Sequence, residues 1–215
     1  MELSIVLGFV VAVFFVSIVP GPDMLFIIAN AAVGGRRAGV VAAAGMSTGL
    51  AVHTVAAALG LGALIQAAPQ VLNGVRIAGA AFLLYLAYLT WRASRQPVGE
   101  ADDEVLELPK RTLRKTYVMA TLTNLANPKV ILFYLAFVPQ FVSTGADNWP
   151  VTIQFLVLGA VFIAVGFPVD ASAGLLAGSL AATLFRAGST VRRRLERICA
   201  GIFAVLAARL AADIH

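Results

Sequence analysis

Three charged side chains stand well inside runs of residues otherwise suited to hydrocarbon: Asp23, Lys129 and Asp170. A charge in that setting costs roughly 2.5–3.5 kcal/mol on insertion scales, so each marks a functional site by default. Asp23 is the sole ionisable residue between Leu3 and Val33, and it follows Pro20, Gly21 and Pro22. Proline lacks a backbone donor and clashes with the preceding turn, so this motif breaks a helix and frees polar groups that must face protein or water. Capping is compatible with that reading. With Pro22 at the first position of a new half-helix, Asp23 falls in the first turn, where the helix dipole favours an anion. Lys129 follows Pro128 as Asp23 follows Pro22. The dipole disfavours a cation there, so Lys129 calls for an anionic neighbour, either Asp23 or the carboxylate of a substrate. Asn124 and Asn127 can cap freed backbone or offer both donor and acceptor to a zwitterion. Asp170, after Gly166-Phe167-Pro168, is a candidate for a proton relay, with a satisfied helix-start acid as the alternative. His53 has a side chain that titrates near neutral pH, although a lone histidine in an apolar helix is more often a packing residue.

The elements that must position these groups are membrane helices. The chain of 215 residues is 60% hydrophobic and 13% charged, with a mean hydropathy of +0.90, outside the range of soluble domains. Spans fall at about 5–32, 40–66, 72–91, 116–140, 151–180 and 195–213, each at or above about 20 apolar residues. Thirteen of the 16 Lys and Arg residues sit between spans one and two, three and four, or five and six. The positive-inside rule therefore puts those loops in the cytoplasm and both termini outside. Clusters of this kind explain the formal charge of +5 without a nucleic-acid partner. Arg192-Arg193-Arg194 reads as a topology determinant and headgroup contact.

The polar stretch 94–113 divides the chain into a three-span unit, 1–93, and a second, 114–215. Units with an odd number of spans lie in the bilayer with opposite orientation, the arrangement of inverted-repeat transporters. The first span of each unit should then break at a similar depth. Pro20-Gly21-Pro22 and Asn127-Pro128 meet that requirement, roughly 15 and 12 residues into spans one and four. The expected fold is thus an all-α integral membrane protein of six helices in a 3+3 inverted repeat, helices one and four broken mid-membrane. Glycine pairs at Gly35/Gly39, Gly45/Gly49 and Gly174/Gly178 have the spacing that lets helices approach closely. Tyr85, Tyr88 and Trp91 suit an interfacial belt. No nucleophile triad, paired-carboxylate motif, metal-spaced cluster or phosphate-cradling loop occurs, and the lone Cys199 excludes an intramolecular disulfide. The expectation is a transporter and not an enzyme, with no cofactor and no bound metal.

Several motifs together resemble one family. Val19-Pro20-Gly21-Pro22-Asp23, Gly45 through Gly49, Gly79 with Tyr85-Leu86, and Asn124 through Lys129 running into Phe133 and Phe137-Val-Pro-Gln-Phe141 are similar to the LysE/RhtB amino-acid exporters over nearly the whole chain. The small residues Ala171-Ser172-Ala173 depart from the bulkier versions of many relatives. The resemblance implies an inner-membrane secondary exporter of amino acids or derivatives such as homoserine lactones, driven by the proton gradient, and it admits a homodimer. Asp23, Asn124, Asn127 and Lys129 are then the substrate-binding candidates. Asp23 and Asp170 are the proton-coupling candidates, and His53 is a lesser one. The competing readings are a divalent-cation or heavy-metal exporter of the same superfamily and a membrane subunit without substrate.

Overall fold

The computed structural model describes residues 3–18, 21–67, 111–144 and 148–177, with isolated helical positions from 74 to 95 and from 197 to 208; spans three and six, the linker and Pro20 lie largely or wholly outside the described residues. Every regular element among the described residues is helical: α1 (Leu3–Ile18), α2 (Pro22–Ala67), α3 (Leu113–Leu125), α4 (Pro128–Leu132) and α5 (Val151–Leu175). A π-helical turn at Phe133–Phe137 and a 3₁₀ turn at Val138–Phe141 continue α4. Two of these helices, α2 and α5, are long and apolar enough to cross a bilayer; α3 and the segment from Pro128 to Phe141, bent by 49° at their break, pass the same test when taken together as one span.

The interval 33–39, expected to separate the first two spans, narrows to one residue. Gly35, at φ 78° and ψ 178°, interrupts an otherwise continuous α2, and Arg36 and Arg37 stay exposed beside it. Glycine adopts such a positive φ at no steric cost, so no loop is needed. A Cβ at Gly35 would meet no atom within 4 Å, which leaves backbone strain as the only penalty. Gly35→Ala should therefore cost about 1–3 kcal/mol, seen as a thermal midpoint a few degrees lower in detergent with unchanged helix content.

Helix α2 packs against α3 and α5 through missing side chains. A Cβ at Gly45 would lie 2.5 Å from the Tyr117 carbonyl oxygen and 2.7 Å from the Ala120 methyl group, and one at Gly39 would lie 2.7 Å from Gly174 Cα. The closeness lets Thr121 Oγ1 donate to the Gly45 carbonyl (3.0 Å) and Tyr134 Oη to that of Leu50 (3.2 Å). Phe9 of α1 meets Phe133, Phe137 and Phe141 with ring centroids 5.0–6.3 Å apart, and Phe162 of α5 closes on Phe133 at 4.7 Å, a range in which aromatic pairs attract beyond simple burial. Pro139 cannot donate to the helix, and nearby the ladder slips to Val138 N–H donating to Phe133 O, five residues back. The fully buried Gln154 ties α5 to the preceding connection. Its amide accepts from Ser143 N–H (3.0 Å) and donates to Ser143 O (2.8 Å) and Trp149 O (2.6 Å).

Candidate functional site at the two helix breaks

Both breaks are built on one local pattern. At the first, α1 ends at Ile18 and Gly21 stands outside the helix, its carbonyl accepting the first α2 bond from Leu25 N–H at 3.0 Å. Pro22 opens the helix and Asp23 follows. At the second, Asn127 is the cap, its Oδ1 accepting from Lys129 N–H at 2.9 Å, with Pro128 at the first helical position. A cap, a proline and a charged residue succeed one another in each.

Cross-links join the two breaks. Asn124 Nδ2 donates to Asp23 Oδ2 at 2.7 Å and Asn127 Nδ2 donates to Asp23 Oδ1 at 2.8 Å. Each carboxylate oxygen receives one amide hydrogen and keeps capacity for another donor. In the opposite sense, Lys129 Nζ donates to the carbonyl of Val16 at 3.0 Å. That carbonyl belongs to the last turn of α1, where intrahelical partners run out and the dipole is negative. The cation that does not suit the start of its own helix thus meets the end of another. Asn127 both caps and reaches Asp23, so the two readings of that residue coexist.

Gly49 makes room for this arrangement. A Cβ there would fall 2.5 Å from Asn124 Oδ1 and 2.8 Å from Asn124 Cβ. Asn124 is 1% exposed, and its Oδ1 has no hydrogen-bond partner among the described residues. Gly49 had a packing signature in the sequence but none that tied it to Asn124.

A cavity of about 60 Å³ opens beside these groups, bounded by Asp23, Asn124, Asn127, Lys129 and Asp170 on its polar side. Val16, Met24, Leu50, Val130, Phe133 and Phe162 form its apolar side, with Ser17, Gly21 and Gly166 completing the wall. It has room for about four water molecules. Asp170 is half-buried and lies within electrostatic reach of both Asp23 and Lys129. Phe162, Gly166 and Asp170 recur every fourth residue along α5 and so share one face. His53 does not line this cavity. It stacks on Tyr134 at 5.7 Å, with Nε2 3.4 Å from the Asn124 carbonyl oxygen.

The chain matches the model of the LysE type translocators over residues 14–213. It belongs to the LysE translocator family. An uncharacterised membrane protein of Pseudomonas aeruginosa is 32% identical over 193 residues, 90% of this chain and 85% of that one. A membrane protein of Vibrio cholerae is 33% identical over 77% of each chain. A leucine efflux protein of an Enterobacter species is 35% identical over 164 residues, 74% of this chain and 72% of that relative. No solved structure matches. Membership of the LysE family makes the chain a membrane transporter, in keeping with its apolar helices.

Proposed function

We propose that this LysE family member exports a zwitterionic amino acid or close derivative with a neutral, aliphatic side chain across the inner membrane, in exchange for protons. The observation that carries the reading is one small cavity holding two carboxyl groups, an ammonium group and two amides on one side and an aliphatic and aromatic wall on the other. Such a division matches a substrate with a charged head and an apolar tail. The substrate's ammonium group goes to the open lone pairs of Asp23, and its carboxylate to Lys129. The leucine efflux protein among the relatives supports an aliphatic side chain. Asp170, on the same wall, is in position to carry the coupled proton, which the inward-facing state releases to the cytoplasm after taking it up outside. Six spans in an inverted repeat, with both termini outside, supply the alternating access that widens a cavity too small for the whole substrate.

A divalent cation fits less well, because an ammonium group occupies the cavity and hard cations need six or more oxygen ligands. The test is uptake of labelled amino acids into inverted vesicles bearing the protein, with the proton gradient imposed or collapsed. Leucine or a similar amino acid should accumulate only with the protein and the gradient. Equal uptake in vesicles without the protein, across the whole panel, would sink the proposal, and movement that ignores the gradient would remove proton coupling alone.

A further inference from the structure

Gly166 differs from the other buried glycines of the described helices. At Gly39, Gly45, Gly49, Gly159 and Gly174 an added Cβ would come within 3.0 Å of backbone or of a packed side chain, and at Gly62 it would crowd Thr152 Oγ1 at 3.1 Å, so helix contact favours glycine at each. A Cβ at Gly166 would meet Ser17 Oγ at 3.6 Å and Phe162 ring carbons at 3.7 and 3.8 Å, ordinary van der Waals separations. Its backbone is helical, so no positive φ requires glycine either. Gly166 is nonetheless buried, and it lines the cavity between Ser17 of α1 and Phe162, one turn from Asp170. Neither helix packing nor backbone geometry accounts for the missing side chain, while the cavity gains the space it leaves.

We infer that Gly166 is a specificity-determining residue, whose absent side chain leaves room for the branched end of the substrate's side chain against Phe162 and Phe133. This rests on the proposed export of aliphatic amino acids and adds a size limit to it. In a cavity of about 60 Å³, a methyl group takes about the space of one water molecule out of about four. A substrate that fills the pocket is then excluded, and one that leaves it empty is not. The expected rank reverses: the wild type favours leucine over alanine, and a filled pocket favours alanine.

Gly166→Ala should lower leucine transport about tenfold or more, the usual effect of a single methyl-sized misfit. Alanine transport should stay within about twofold of the wild type, since no polar contact changes. Trimming the opposing ring should return the space, so Gly166→Ala with Phe162→Leu should recover leucine. Phe162→Leu by itself should raise the ratio of larger to smaller substrates. Equal loss of leucine and alanine in Gly166→Ala, or no change in their ratio, would overturn the inference. Should that variant fail to insert, an unchanged substrate ratio in Phe162→Leu would overturn it instead. Absence of protein-dependent transport of any amino acid by the wild type would count against the export reading itself and is distinguishable from either result.

Discussion

Asp23→Asn is expected to abolish export while leaving the protein inserted and folded. The substitution keeps shape and removes charge, so an incoming ammonium group loses its counter-ion in a small cavity with one apolar wall. Hydrogen bonds to a charged partner contribute about 1.5–3 kcal/mol, and the loss here should reach about a hundredfold in transport rate. The fold should survive because of a difference between the two asparagines. Asn127 is fixed, since its Oδ1 holds the Lys129 N–H. Asn124 Oδ1 has no partner among the described residues, so that amide is able to turn and present its oxygen to the amide that replaces the carboxylate, at no cost in hydrogen bonds. Efflux from preloaded cells, normalised to the amount of inserted protein, checks both halves. Near-normal efflux would remove Asp23 from the binding site.

Lys129→Met should cause two losses together. Transport should fall to background, because the cavity keeps the carboxyl groups of Asp23 and Asp170 and no longer has a cation to receive a substrate carboxylate. Stability should fall by about 1–3 kcal/mol, the cost of leaving the Val16 carbonyl without its donor. Lys129→Arg keeps both the charge and the donor and should restore most of the stability. Thermal unfolding in detergent beside vesicle transport separates these effects. A methionine variant that is less stable and still transports would make Lys129 a strut between helices and not a substrate ligand.

The helix breaks were legible because proline, glycine and asparagine act through local backbone chemistry. Gly21-Pro22-Asp23 and Asn127-Pro128-Lys129 each name the cap, the first helical residue and a charge in three letters. The direction of one helix dipole made Lys129 call for an anion, either Asp23 or a substrate carboxylate, whereas the partner seen here is a neutral backbone carbonyl at the negative end of α1. That contact could not be read ahead: the Val16 carbonyl is an ordinary backbone group, and nothing in an apolar sequence distinguishes one carbonyl from the next. The same holds for Gly49, whose spacing reads as helix packing while its contact is a site asparagine. Gly35 departs from its reading. Its spacing from Gly39 suggested close helix packing, yet an added Cβ there meets nothing within 4 Å, and its part is the positive φ that kinks the chain beside Arg36 and Arg37. The π turn at Phe133–Phe137 and the Gln154 clamp depend on how Pro139 and Ser143 are met in space, which no periodicity reports.

The partners of Asp23 are made late. Asn124 and Asn127 follow it by 101 and 104 residues, and at usual rates of synthesis the ribosome needs about 5–20 s to reach them. Through that interval the nascent first half carries Asp23 without the two asparagine amides that bond it in the folded protein. It must wait in the translocon or in contact with an insertion factor. Termination anywhere before Asn124 leaves a fragment that quality-control proteases should recognise and clear, and supplying residues 114–215 as a separate chain should extend its lifetime.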